Sequence, residues 1–226
     1  MKQRMFAVIC IALTAYAIVP VIAQPGPVGS WLMYFGHQPI QPDWTLWNEL
    51  QIRQHNLAGD LHQVIIRAGL GYNITPGNNN VLLGYGFFHS LNYVGDTDEK
   101  VSTLEHRVFQ QFINRHNLDR IAIQHRLRSE QRFLTDGLQA RFRYMLGLTI
   151  PVNQDNMREG TLYASVFNEI FVVPQAQMFD RNRIYGAIGY VFHPSVRAEL
   201  GLLRQSTSST FRDQLQLAIF NNIALY

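Results

Sequence analysis

The residues best suited to chemistry are charged, and their spacing is regular. Between residues 121 and 133, Arg126, Arg128 and Arg132 share alternate positions with Glu130, and Arg141 and Arg143 follow at the same interval. Glu49, Arg53, Arg67, Glu105, Arg107, Glu169, Arg183, Arg197 and Glu199 occupy equivalent places in other stretches. Ten arginines thus stand against five glutamates. The planar guanidinium fork pairs well with carboxylates and phosphates. Two uses follow. One is an ion-pair network that fills and rigidifies an interior. The other is a basic conduit or pocket for small carboxylates or phosphates. A nucleic-acid surface is not expected: the net charge is +3 and the pI about 9.1, but beyond residue 23 the only lysine is Lys100. Solvated basic patches usually mix both cations.

Enzyme chemistry finds less support. His89 and Ser90 are adjacent in FFHSLN, a superficial likeness to outer-membrane lipid hydrolases. Neighbours on a strand point to opposite faces, so the two could not share a proton there. Neither a G-x-S-x-G, nor an H-E-x-x-H, nor a phosphate-binding loop occurs. Glu105 and Glu169 could act as a hydrolytic pair only by meeting across an interior, and their arginine neighbours point to ion pairs. His37, His55, His62, His106, His116 and His125 are scattered; His106 and His125 fall on an apolar register. The lone cysteine, Cys10, lies in the apolar N-terminal run. No catalytic residue, metal or cofactor is therefore expected.

What must position the charges is a set of strands. In residues 121–133, Ile121, Ile123, His125, Leu127, Ser129, Gln131 and Phe133 share one face, and the arginines and Glu130 the other. This alternation of period two recurs around residues 46–53, 104–112, 139–150, 162–170, 183–192 and 196–202. Glycine-bearing strands fit at 64–74 and 81–91. Charge on nearly every polar face, with apolar residues on the opposite one, matches a membrane barrel better than a soluble sandwich. A mean hydropathy of −0.07 is what such a barrel averages to. Trp44, Trp47, Tyr72, Phe133, Phe142, Tyr144, Tyr190 and Phe192 are expected to form aromatic girdles.

The fold class is thus all-β: an antiparallel up-and-down transmembrane barrel over residues 44–226, of ten strands, with twelve admitted. Residues 24–43 form a lead segment or an extra strand, since the stretch from Trp31 to His37 also reads as strand. An even count places both termini on one side. Residues 1–23 read as a secretory signal peptide: Lys2 and Arg4, an apolar core, then Val21-Ile22-Ala23 before Gln24. Tight turns (75–80, 116–119, 193–195) and longer polar loops (92–102, 205–210) fall at alternate ends, as periplasmic and extracellular loops do. The segment 153–160 is long for its side. Leu215, Leu217, Ile219, Ile223, Leu225 and the terminal Tyr226 suggest a closing strand read by the barrel-assembly machinery.

WTLWNELQIR (44–53), Glu105-His106-Arg107 with Gln110-Gln111, RLRSEQR (126–132), Arg141-Phe142-Arg143-Tyr144, Asn168-Glu169-Ile170-Phe171 and DRNRIYGAIGY (180–190) together resemble the family designated domain of unknown function 2490. The resemblance runs from about Trp31 to the C-terminus. It implies an outer-membrane barrel of Gram-negative bacteria, with membrane lipid and lipopolysaccharide as surroundings, and no catalytic residues. The expected function is a structural barrel or narrow pore. The alternatives are small-anion transport, a lipid- or lipopolysaccharide-acting enzyme, and a soluble periplasmic ligand-binding barrel.

Overall fold

The structure, a computed structural model, describes residues 28–75, 77–175 and 177–226. Residues 1–23, expected from the sequence to be a signal peptide, lie outside them, Cys10 included. Eleven strands follow one another: β1 (Val28–Pro39), β2 (Trp44–Gln54), β3 (Leu61–Thr75), β4 (Asn79–Tyr93), β5 (Lys100–Leu118), β6 (Ile121–Leu134), β7 (Gly137–Pro151), β8 (Leu162–Val172), β9 (Phe179–His193), β10 (Val196–Ser206) and β11 (Phe211–Asn221). Each pairs with its neighbours in the chain, and β1 pairs with β11 to close the barrel.

Closure departs from expectation. There are eleven strands, not ten or twelve, and the extra one contains Trp31 to His37. β1 runs parallel to β11, with Val28 opposite Asp213 and Gly36 opposite Asn221, while every other pair is antiparallel. Residue 28 therefore lies at one rim and Asn221 at the other. An even strand count with both termini on one side holds only for antiparallel closure, and the parallel β1–β11 pair permits an odd count with termini at opposite rims. We call the two ends the N-terminal and C-terminal rims. The β1–β2, β3–β4, β5–β6, β7–β8 and β9–β10 connections, among them 40–43, 119–120, 152–161 and 194–195, lie at the C-terminal rim; the β2–β3, β4–β5, β6–β7, β8–β9 and β10–β11 connections, among them 55–60, 94–99, 135–136 and 207–210, lie at the other. The two-residue turn at 119–120 needs a left-handed residue, and Asp119 supplies it with φ 53°.

The alternation has its structural counterpart in burial. On β6, Arg128 and Glu130 are buried while Leu127 and Phe133 are exposed, and β7 buries Arg141, Arg143 and Met145 while exposing Phe142, Tyr144 and Leu146. The outward surface is otherwise rich in Leu, Ile, Val and Phe, with Leu83, Ile184, Ile188 and Leu202 among the most exposed. Polar groups there pair with one another: Gln110 and Gln131 exchange reciprocal amide bonds of 3.1 and 3.2 Å across β5 and β6. Trp44, Tyr72, Phe133, Phe142, Tyr144, Tyr190 and Phe192 are all exposed, but Trp47 is not. It points inward and meets the Phe109 ring edge-on at 5.7 Å, so it belongs to the interior and not to a girdle. The expected terminal strand also stops short. β11 ends at Asn221, and beyond it the Leu225 amide donates to the Pro39 carbonyl at 2.8 Å.

Candidate functional site: an arginine-lined interior

All fifteen charged residues singled out above project into the barrel, because each sits on the inward parity of its strand. Glu130 is the hub. Its side chain is wholly buried, and Arg141 and Arg143 reach it at 2.6 and 2.8 Å, with Arg107 and Arg128 at 3.7 and 3.8 Å. Register causes this: Glu130 lies directly opposite Arg141, and Arg128 opposite Arg143. Glu169 is a second hub, with Arg143 at 2.7 Å, Arg126 at 2.9 Å and Arg183 at 3.8 Å. Glu105 holds Arg107 and Arg132, each at 2.6 Å. Glu49 pairs with Arg67 and accepts from Gln51. Glu105 and Glu169 have no arginine in common: each sits in its own ion-pair group.

Three residues of the set are not in carboxylate–arginine pairs. Glu199 instead accepts from the hydroxyls of Tyr163 and Tyr185 at 3.0 and 3.2 Å. Arg197 lies over the Phe220 ring at 4.3 Å. Arg53 donates to the amide oxygens of Gln51 and Gln63 at 2.9 and 3.1 Å and lies 3.6 Å from the centroid of the Trp31 ring; among the described residues it has no carboxylate partner.

Several interior residues were not foreseen. Asp180 bonds Arg141 at 3.2 Å and also pairs with Arg181. Arg115 donates to Gln124 at 3.1 Å, and Arg212 donates to the His55 carbonyl. Arg115 and Arg181 keep the parity of Arg107 and Arg183, so extending those strands by one turn of alternation finds them. The aromatic rings carry no such signal. Phe171 lies beneath Arg141, Arg143 and Arg183 at 4.5 to 5.2 Å, Phe88 lies 3.6 Å from Arg107, and Phe109 4.5 Å from Arg128.

The side chains leave two cavities. One, about 600 Å³, opens toward the N-terminal rim and reaches Asp136 and Arg212. The other, about 460 Å³, lies toward the C-terminal rim and reaches His37 and Arg115. Both are bounded by Trp31, Arg53, Arg67, Arg143 and Arg183, which therefore form the waist between them.

The remaining candidates are dispersed. Ser90 faces inward and its hydroxyl accepts from Gln63 at 2.6 Å. His89 faces outward, 2.9 Å from the Ser102 hydroxyl. His106 and His125 are outward, bonded to the Tyr85 and Tyr144 hydroxyls, and His116 stacks on His125 at 5.4 Å. His62 lines the larger cavity and lies against His55, with ring centroids 4.2 Å apart and planes tilted by 33°; burial lowers the pKa of the His55 imidazole below its ordinary value. Among the described residues no three His, Cys, Asp or Glu side chains are grouped to hold a metal ion.

No curated protein and no solved structure matches this chain. One family model does match, over residues 28–216, which spans β1 to the middle of β11; the chain belongs to that family, described as "Protein of unknown function (DUF2490)".

Proposed function

We propose that this chain is an outer-membrane barrel whose interior takes up and passes small anions. One observation carries the reading. Setting Arg212 aside, twelve arginines line the two cavities, while the carboxylates there and in the adjoining ion pairs number seven: Glu49, Glu105, Glu130, Asp136, Glu169, Asp180 and Glu199. Five positive charges are left over. An uncompensated buried ion costs several kcal/mol even after relaxation, so the excess favours anions entering from solution. Localisation in the outer membrane is supported by the apolar outward face, by closure without a free edge, and by the leader-like residues 1–23. The C-terminal rim, whose described turns are short apart from 152–161, then faces the periplasm.

The test is planar-bilayer recording of the purified protein across a potassium chloride gradient. The expected reversal potential has the sign of anion preference. Cation preference, or no conductance, would reduce the reading to a structural barrel. A second reading, an outer-membrane lipid hydrolase, has one observation in its favour: the hydrogen bond between His89 and Ser102 on the outward face, within reach for a base and a nucleophile. Phospholipid hydrolysis abolished by Ser102→Ala would support it; no hydrolysis by the native protein would remove it.

A further inference from the structure

We infer that the waist of the barrel is a discrete oxyanion-binding site, formed by Arg53 and Arg183 on the Trp31 ring and suited to inorganic phosphate or a carboxylate over halide. The inference rests on the anion-compartment reading and goes beyond it, because a basic lumen need not hold any anion in one place.

Three observations meet at this point. The first is position: Trp31, Arg53 and Arg183, with Arg67 and Arg143, border both cavities and so stand at their junction. The second is juxtaposition. The guanidinium carbons of Arg53 and Arg183 lie 3.6 and 5.1 Å from the centroid of the same indole. Two like charges share one ring, and the amide hydrogen bonds of each use only part of its N–H edge.

The third is missing countercharge. Arg53 has only neutral amide oxygens as hydrogen-bond acceptors. Arg183 likewise donates to the Gln205 amide oxygen at 2.9 Å, and its contact to Glu169 is long, at 3.8 Å. Glu169 is already held more closely by Arg126 and Arg143. Around Glu105, Glu130 and Glu169 the arginines crowd onto shared carboxylates; Arg53 and Arg183 instead share the Trp31 ring, with no carboxylate closer than 3.8 Å to either among the described residues. A planar or tetrahedral oxyanion can accept from both forks at once, whereas a halide cannot match the fork geometry.

The experiment is a titration of the purified full-length protein with inorganic phosphate, and separately with chloride, at constant ionic strength. Tryptophan emission and calorimetric heat are both followed. Phosphate should give a saturable emission change at lower concentration than chloride. Trp31→Phe should abolish the optical change. Arg53→Gln and Arg183→Gln should each weaken the calorimetric affinity about tenfold, the loss expected for a charge-assisted hydrogen bond. Arg53→Lys, which keeps the charge and loses the fork, should also weaken it, and guards against misfolding of the neutral variant. Arg204→Gln, on the outward face, should change nothing. Equal responses to phosphate and chloride, or phosphate affinity unaltered by the Arg53 and Arg183 variants, would overturn the inference. Bilayer recordings separate the two levels: anion conductance without phosphate binding sinks the waist site alone, and phosphate binding without conductance sinks the conduit alone.

Discussion

Glu130 and Glu199 are both buried glutamates, and replacing each by glutamine should have very different consequences. Glu130 has four guanidiniums within 4 Å, two of them closer than 3 Å. At an effective dielectric of about 20, unit charges about 4 Å apart interact by about 4 kcal/mol. Removing the carboxylate charge deletes several such attractions and leaves the arginines to repel. Side-chain relaxation and entering anions offset part of this, which brings the net cost to about 3–5 kcal/mol, the range for removing one partner of a buried ion pair. That is about two to almost four decades in the unfolding equilibrium. Glu199 accepts from Tyr163 and Tyr185 through its two different oxygens; a glutamine oxygen still accepts from one hydroxyl, and its NH2 can donate to the oxygen of the other. Its replacement should cost about 1 kcal/mol or less. The assay is urea unfolding in lipid vesicles, followed by tryptophan emission and by heat-dependent gel mobility. If Glu130→Gln unfolds at the native midpoint, or if Glu199→Gln is the more damaging, the hub account of the interior is wrong.

Other outcomes follow from the same geometry. Glu130→Gln should strengthen anion preference in bilayer recordings, since it raises the excess positive charge by one; weaker preference would contradict the compartment reading. Gly84→Ala should destabilise the barrel by about 1–3 kcal/mol, because a Cβ there would overlap the Phe109 ring, and a smaller residue at 109 should restore the unfolding midpoint. Replacing Gln110 and Gln131 together by leucine removes both halves of a reciprocal amide pair on the outward face; stability in vesicles should be unchanged or slightly raised, and a clear loss would argue against lipid there. Epitopes placed before Val28 and after Tyr226 should be reached by antibody from opposite sides of the membrane, because β1 and β11 are parallel; labelling from one side only would refute the closure.

The interior was legible where one face of a strand was charged and the other apolar. Arg126, Arg128, Glu130 and Arg132 against Leu127 and Phe133 leave one assignment of faces, and the short β6–β7 connection then brings Arg141 and Arg143 alongside. β1 was harder because both of its faces are apolar: Trp31, Met33 and Phe35 point into the lumen, while Leu32 and Tyr34 take the opposite parity. A period of two is invisible when neither face is polar, and parallel closure is a long-range pairing with no local signal. Trp47 was misplaced for a related reason. An aromatic residue near a strand end fits a girdle and a packed interior equally well until its parity is tied to Glu49. Asp180 escaped because the pairing of β8 with β9 shifts register at Phe171 and Val172, which alternation cannot foresee.

The choice of arginine over lysine follows from what surrounds it. With twelve cations besides Arg212 against seven carboxylates, ion pairs alone cannot satisfy the interior. Aromatic faces and neutral amides take up the difference: Trp31 serves Arg53 and Arg183, Phe171 serves three arginines, and Gln111 accepts from Arg128 at 2.9 and 2.5 Å. A guanidinium can stack on a ring with its plane while donating from its edge, and it is more weakly hydrated than an ammonium. A lysine in the place of Arg53 would keep its charge but lose the in-plane donors that reach Gln51 and Gln63 together. The interior is thus built to hold positive charge in excess without collapsing it onto fixed carboxylates, a property an anion compartment requires and a purely structural plug does not.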